Sequence, residues 1–373
     1  MERKGDNIMA GSTFGTIFKI TTWGESHGKG VGVVVDGCPA GLPLCEEDIQ
    51  KFLDRRKPGQ SKYTTPRKED DTVEILSGVF DGKTTGTPIS LVVYNKNQHS
   101  GDYSEIASYY RPGHADYTFD MKYGFRDYRG GGRSSGRETI GRVAAGAIAV
   151  KILNQLGITF TTYTKSIGPI TVKNFDASQI AENPLNMPDT EAAENAQAYL
   201  DACMAELNSS GGVVECIICG MPVGIGDPVF EKLNANLAKA IMSIGAVKGF
   251  EIGDGFDVAK ATGKNNNDAF RLSANGSIEK VTNHAGGILG GISDGSDIIL
   301  RASIKPTPSI AATQQTVNKS GDEIDINIKG RHDPIIVPRA VVVVESMAAI
   351  TIVDALFSNM SARMDSLATF YRK

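Results

Sequence analysis

Short segments that alternate apolar and polar residues recur along the chain and predict β-strands. Early in the chain, one such segment ends at Trp23, and others cover residues 31–35, 72–80 and 89–95. Later segments lie at residues 158–172, 213–226 and 323–330. Asn275-Gly276 is typical of a hairpin turn. The pattern therefore predicts strands along most of the length of the chain.

Other segments repeat apolar residues with the period of a helix. These predicted helices cover residues 44–53, 189–208, 229–244 and 340–356, and a further one begins near Ser135 and ends at Gly157. Asp189 or Thr190 is the expected N-cap of the second of them. The segment 340–356 is apolar on every side, which is typical of a helix buried in the core.

The composition is that of a globular protein large enough to bury an extensive core. Hydrophobic residues make up 40% of the 373 residues. Because no repeat or low-complexity linker divides them, we predict one large domain over residues 11–373. Residues 1–10 show no periodicity and are expected to form a flexible extension.

The charge is unevenly distributed along the chain. A net charge of −4 excludes the overall basic field that proteins binding nucleic acids or membranes use. Residues 51–142 nevertheless contain 16 Lys and Arg against 12 Asp and Glu. This local excess indicates a small anionic ligand rather than a polyanion.

Five cysteines form no even disulfide framework, and no signal peptide precedes the first strand, so we expect a cytoplasmic protein. Cys216 and Cys219 form a CxxC motif, but no second pair accompanies it. Their strand-like surroundings favour buried core thiols over a metal site. Arg142 and Lys151 interrupt what we take as the longest helix, so no membrane span is expected.

Unusual chemistry is concentrated in residues 111–142. His114 and five of the arginines in this stretch lie around three consecutive glycines: Arg111, Arg126, Arg129, Arg133 and Arg137. Ser135 followed by Glu138 matches a capping box, so a helix N-terminus with free N–H groups should meet the arginine side chains. The combination predicts an anion site. Alternatively, the arginines form a solvated face or pair with Asp116, Asp120 and Asp127.

Further candidates flank this stretch. His27 lies between glycines at a strand end, where a histidine can bind a ligand or act as an acid. The basic run at residues 55–68 continues into a loop that could close over an anion. The glycine pairs at residues 286–291 and the nearby Lys305 suggest a second phosphate or cofactor site. Arg331 and Asp333 follow a strand, where they would orient a ligand or pair with each other.

Six motifs, in this order, resemble the chorismate synthase family over about residues 11–367. They are GESHG (24–28), RPGHADYT (111–118), RGGGRSSGRET (129–139), HAGGILGG (284–291), KPTPSI (305–310) and GRHDP (330–334). The resemblance implies an α+β fold with helices layered between antiparallel β-sheets, assembled as a homotetramer. It also implies a lyase that eliminates phosphate from 5-enolpyruvylshikimate 3-phosphate to give chorismate. The family requires reduced FMN with no net redox change; some members reduce it with NADPH, others use an external reductant.

The resemblance also implies site residues. Substrate contacts fall on Arg56, Lys62, Arg111, His114, Ser135, Arg137, Arg331 and Asp333. Flavin contacts fall on Arg133, Ser134, Ser135, Gly245, Ala246, Gly290, Lys305, Pro306, Thr307, Pro308, Ser309 and Arg331. In the implied chemistry His114 protonates the departing phosphate and Asp333 helps to remove the C6 proton, while His27 protonates the flavin or balances its charge. Gly136 and Lys62 depart from the family's common alanine and arginine, and neither threatens this function.

Two other functions fit parts of the sequence. Residues 126–137 combine tyrosine, arginine and glycine as RNA-contacting segments do. The net charge and the predicted helix that follows argue against that interpretation. A metal hydrolase using His27, His114, Asp116 and His332 is the second alternative, but the spacing of these residues matches no metal-binding motif.

Overall fold

The computed structural model describes residues 11–65, 69–95, 105–328 and 333–372. The predicted extension at residues 1–10 lies outside these ranges, and so do Arg331 and His332. Eight α-helices are present in the described chain. They are α1 Glu46–Arg56, α2 Asp116–Tyr123, α3 Thr139–Gln155, α4 Thr190–Ala205, α5 Leu233–Met242, α6 Gly263–Asn266, α7 Val337–Asn359 and α8 Met364–Tyr371.

Two antiparallel sheets of five strands each dominate the β-structure. The first has the order β1-β2-β3-β7-β4, with β1 Thr13–Phe14, β2 Lys19–Gly24, β3 Gly30–Asp36, β4 Val73–Ile75 and β7 Ile89–Tyr94. The second has the order β11-β16-β10-β8-β9, with β8 Thr159–Ile167, β9 Ile170–Thr171, β10 Gly212–Cys219, β11 Val247–Ile252 and β16 Ile298–Ile304. The predicted α+β class with antiparallel sheets is therefore confirmed.

Four two-stranded ribbons complete the strands of the described chain. They are β5 Val79–Phe80 with β6 Lys83–Thr84, β12 Phe270–Leu272 with β13 Ile278–Lys280, β14 Ile288–Leu289 with β15 Ile292–Ser293, and β17 Gln314–Val317 with β18 Glu323–Ile326. The predicted hairpin at Asn275-Gly276 joins β12 to β13, and Gly276 adopts the left-handed conformation that such a turn requires.

Two long helices form the centre of the hydrophobic core. α3 packs on the first sheet, α7 packs on β8 and β10 of the second, and the two helices pack against each other. Their contact is close because Gly146 has no side chain: a Cβ there would lie 2.2 Å from Cβ of Ser346. The hydroxyls of Ser346 and Thr351 donate to carbonyls one turn earlier in α7, so neither buried polar group is left unsatisfied.

The longest helix of the described chain is α7 and not α3. The prediction that Arg142 and Lys151 interrupt the longest helix is therefore wrong. α7 has 23 residues and is long and apolar enough to cross a membrane by length and composition. Most of it is buried inside the fold, however, as the all-apolar pattern of residues 340–356 predicted. Its single buried carboxylate, Glu345, is bound by both Nη atoms of Arg55 at 2.8 Å.

The predicted helices have somewhat different ends in the structure, as α1, α5 and α7 illustrate. α1 runs to Arg56 instead of stopping at residue 53. α5 begins at Leu233 instead of 229, because Val229 has a φ of +65°, outside the helical region. α7 begins at Val337, with Pro338 in its first turn, where proline is tolerated. The predicted N-cap of α4 is correct: Asp189 accepts a hydrogen bond from the N–H of Ala192.

Candidate active site

A polar cleft lies where the end of α1 meets the segment before α3. Its lining residues come from four separate parts of the chain: Arg56, Pro58, Thr65, Glu69, Ser135, Gly136, Arg137, Asp333 and Arg339. Four of them belong to the set that the family resemblance implied, namely Arg56, Ser135, Arg137 and Asp333. Three guanidinium groups against two carboxylates make this cleft suited to an anion.

The capping box predicted at Ser135 is wrong. Residues Gly136–Glu138 form a single 3₁₀ turn, and α3 begins only at Thr139. The Ser135 hydroxyl does accept from the N–H of Arg137 at 3.3 Å. Glu138 does not return to Ser135; its carboxylate accepts from the Thr22 hydroxyl and from Arg142 instead. The contact with β2 therefore outcompetes the local cap.

Three of the five clustered arginines pair with the aspartates named in the alternative interpretation. Arg111 forms a two-point pair with Asp116, with both N···O distances at 2.8 Å. Arg126 binds Asp120, and Arg129 binds Asp127. Arg133 instead donates to the carbonyls of Thr22 and Gly24. Of the five, only Arg137 lines the cleft.

Both predicted catalytic histidines lie at contacts between loops. His114 Nε2 is 2.7 Å from the Ser309 hydroxyl, and Lys305 donates to the carbonyl of Gly113. The structure thus brings the RPGHADYT and KPTPSI motifs together. His27 is buried, and Gly130 lies directly on its imidazole: a Cβ at Gly130 would be 2.3 Å from Cε1.

Hydrogen bonds connect these loops to the cleft. The Asn95 side chain donates to the carbonyls of Glu25 and Gly28 beside His27 and accepts from Arg137. On the other side, Ser209 donates to the Thr307 carbonyl, and the N–H of Ser210 donates to the Pro334 carbonyl. The Ser209-Ser210 segment thereby joins the 305–309 loop to the segment that carries Asp333.

Of the other predicted contacts, residues 245–246 lie beside the predicted flavin loop, whereas Gly290 and Lys62 lie at other parts of the chain. The N–H of Lys305 donates to the carbonyl of Ala246, so residues 245–246 adjoin the predicted flavin loop. Gly290, in contrast, lies in the β14–β15 turn, and its neighbour Gly291 contacts Asp227 and Lys232, just before α5. Ala246 follows the end of α5, and ten residues of helix span about 15 Å. Lys62 binds Asp201 on α4 and does not line the cleft.

Sequence reasoning missed several residues of the cleft. Arg339 donates to the Asp333 carboxylate at 2.9 Å and to the carbonyl of Arg56. Asp71 and Asn95 accept from the cleft arginines. Arg339 is the single cation of α7, and this isolated charge at the start of an apolar helix could have indicated a functional residue. Nothing in the local sequence distinguished Asp71 or Asn95 from ordinary loop residues.

The metal-hydrolase alternative requires histidines that the fold separates. His27 packs against Gly130, His114 contacts Ser309, and Asp116 binds Arg111. Within the described ranges, no three His, Cys, Asp or Glu side chains are grouped so that they could hold a metal ion.

Cys216 is fully buried as predicted, and its burial raises the pKa of the thiol to about 12; Cys219 is only partly buried.

We expect replacement of Asp116 by asparagine to destabilise the protein in a pH-dependent way. Burial alone raises the pKa of Asp116, but hydrogen bonds and charge from Arg111 outweigh it, so the pKa is below its usual value. The pair therefore stabilises the fold above the unfolded pKa of about 3.9, and this stability is lost as the pH falls through the folded pKa. Urea unfolding should show a loss of about 3 kcal/mol in Asp116→Asn at pH 7.

The same unfolding experiment at about pH 3 should show a smaller difference, because the carboxyl of the unfolded wild type is largely protonated below its pKa of about 3.9 and part of the stability from the ion pair is then lost. Asp54→Asn is the matched control, since Asp54 pairs with Lys57 at the surface and its loss should cost less than about 1 kcal/mol. A difference between wild type and Asp116→Asn that is equally large at both pH values would contradict the role of this ion pair.

The α+β fold, the guanidinium-lined cleft and the two histidine loops beside it define an enzyme that acts on a small anionic substrate. A family model described as chorismate synthase matches residues 18–357. The chain therefore belongs to the chorismate synthase family and is a lyase. This assignment selects the lyase over the RNA-binding alternative.

Relatives from distant organisms agree with this assignment. A chorismate synthase of Agathobacter rectalis is 76% identical over 367 residues, covering 98% of this chain and 100% of the relative. One from Methanosarcina barkeri is 55% identical over 351 residues, covering 93% and 96%. A crystal structure of a chorismate synthase superposes with a TM-score of 0.74 at 32% identity, covering 95% of this chain and 96% of the other.

Proposed function

We propose that the chain converts 5-enolpyruvylshikimate 3-phosphate to chorismate and phosphate at the guanidinium-lined cleft. The observation that carries this proposal is the convergence of Arg56, Arg137 and Arg339 on one cleft in a chain of net charge −4. The substrate carries a phosphate and two carboxylates, and guanidinium groups bind such groups through paired hydrogen bonds.

Arg56 and Arg137 are the proposed substrate contacts with the best support. Both line the cleft, and Arg56 Nε makes no hydrogen bond within the described part of the chain, which leaves a donor for a ligand. Ser135 lines the same cleft. Arg111 and Lys62 would have to exchange Asp116 and Asp201 for the substrate. Arg331, outside the described ranges, remains a proposed contact.

Reduced FMN is the proposed cofactor, and the residues around the 305–309 loop fit it. The buried Thr307 hydroxyl has no hydrogen-bond partner among the described residues, and a Cβ at Gly245 would meet nothing within 4 Å. Lys305, Ser309 and Arg133 would add donors for an anionic ligand. When bound, reduced FMN supplies the electron donation that the family's 1,4-anti elimination uses without net redox change.

The protein's own acid–base groups are proposed to move two protons. His114 would donate a proton to the departing phosphate, and its Nε2 contact with Ser309 orients the ring. Asp333 would accept the C6 proton: it lies in the cleft, where the N–H of Thr65 donates to it at 2.7 Å and Arg339 donates to it at 2.9 Å. Buried His27 would hold a proton beside the flavin.

The wider assignments are also proposals. We infer one domain over residues 11–373, with α3 and α7 as helical layers between the two sheets, because each helix packs on one sheet and on the other helix. A cytoplasmic homotetramer completes the proposal, with the flavin reduced either by NADPH on the protein itself or by an external reductant.

Anaerobic turnover tests the proposed function. The protein is mixed with FMN, dithionite and 5-enolpyruvylshikimate 3-phosphate, and chorismate absorbance and phosphate release are followed together. We expect both to rise in equal amounts, and neither to rise when dithionite is omitted. A folded protein that forms no chorismate with reduced FMN would refute the proposal.

A further inference from the structure

Asp71 is a buried carboxylate shared by the two arginines of the cleft. Its Oδ2 accepts from Arg56 Nη2 at 2.6 Å, and its Oδ1 accepts from Arg137 Nη1 at 3.2 Å. The side chains of Asp71 and Arg56 are 1% and 2% exposed. One buried carboxylate therefore binds two guanidinium groups, of which Arg137 also pairs with the Glu69 carboxylate.

The first sheet holds Asp71 in this place. β4 pairs with β7 in an antiparallel register that matches Val73 with Val93, and Asp71 and Asn95 lie just beyond the paired ends of these two strands. Asp71 has a φ of +46°, a left-handed conformation that aspartate and asparagine tolerate better than most residues. The carbonyl of Asp71 accepts from the Gln50 side chain of α1, which ties this strained residue to the helix that carries Arg56.

Asn95 supplies the second acceptor for Arg137. Its Oδ1 lies 3.1 Å from Nε and 2.7 Å from Nη2 of that arginine. Its own side-chain amide donates to the Glu25 and Gly28 carbonyls, which fixes which way the amide faces. Arg137 is thus bound by two residues that lie just beyond the ends of neighbouring strands.

We propose that Asp71 and Asn95 are positioning residues that act through Arg137 and Arg56 to hold the guanidinium groups in the geometry that binds the anionic substrate. Asp71 also supplies the counter-charge that allows two guanidinium groups to lie close together before the substrate arrives. This inference rests on the proposed function.

Asp71→Asn tests the charge without changing the backbone, because asparagine also tolerates the left-handed conformation. An amide has only one acceptor oxygen and would turn its NH₂ group towards the second guanidinium, so it can hold only one of the two arginines. We expect KM for 5-enolpyruvylshikimate 3-phosphate to rise about 10- to 100-fold, with a smaller fall in kcat.

A double-mutant cycle with Arg137→Ala separates positioning from general destabilisation. If Asp71 acts largely through Arg137, Asp71→Asn should raise KM by no more than about three-fold in the Arg137→Ala background. Equal fold-changes in both backgrounds would show that Asp71 does not act through Arg137 and would overturn that part of the inference. Glu215→Gln is the matched control: it removes a buried carboxylate bound to Arg301 on the second sheet, outside the cleft lining, and should leave KM unchanged.

Asn95→Ala keeps the inference testable should Asp71→Asn fail to fold. It leaves Arg137 bound to Asp71 and removes the amide acceptor, together with the two hydrogen bonds to the Glu25 and Gly28 carbonyls, so KM should rise about three- to ten-fold. An unchanged KM in folded Asn95→Ala would overturn the role of Asn95. Wild-type turnover is measured alongside: its absence would refute the proposed function, whereas normal wild-type turnover with unaffected variants would refute only the positioning role.

Discussion

Replacing His114 with alanine is expected to lower kcat by about 10²- to 10⁴-fold, the range typical of a lost general acid. The histidine lies within 2.7 Å of Ser309 and not against the core, so the variant should fold. Substrate and flavin binding should persist, because the guanidinium cleft and the 305–309 loop remain. Anaerobic turnover gives kcat, and FMN fluorescence titration gives the affinity for the cofactor.

Two further variants make this result specific. Ser309→Ala removes the ring's partner but not the proton donor, so we expect an intermediate loss of about ten-fold. His284→Ala is the matched control: His284 pairs with Asp254, outside the cleft lining, and its loss should leave kcat unchanged. A His114→Ala enzyme with unaltered kcat would remove this residue from the mechanism.

Gly130→Ala should reduce kcat by about 10²-fold or more through displacement of His27. The new methyl group would lie 2.3 Å from Cε1 and 2.5 Å from Nδ1 of the imidazole, and 2.9 Å from the Ser26 hydroxyl. Side-chain carbons do not approach so closely, and buried His27 has little space to yield. Steady-state turnover and thermal unfolding of the variant measure the two consequences.

Gly124→Ala is the matched control for backbone strain. Gly124 ends α2 with a φ of +80°, against +59° for Gly130, but a Cβ there would meet nothing within 4 Å. Both variants should lose about 1–2 kcal/mol of stability from the left-handed conformation. Only Gly130→Ala should lose turnover. Equal activity in the two variants would show that the Gly130 contact does not position His27.

Local patterns in the sequence were sufficient for much of the secondary structure. The alternating segments, the all-apolar α7 and the Asp189 cap each depend on residues within a few positions of one another. Helix ends were less well predicted, since the Val229 conformation and the first turn of α7 depend on packing. The Ser135 capping box failed for a related reason: Glu138 is close in sequence to Ser135 but bonds to Thr22, over a hundred residues earlier.

The candidate site shows the same contrast between what local sequence determines and what distant contacts determine. The sequence by itself determined the family and the residue types of the site, because the motifs carry them in unbroken runs. Only the tertiary structure decided the partners: Arg111 binds Asp116, while Arg137 lines the cleft and binds Asp71 and Asn95. A guanidinium group binds any carboxylate within reach, and which carboxylate is within reach depends on strand register and helix packing between distant parts of the chain.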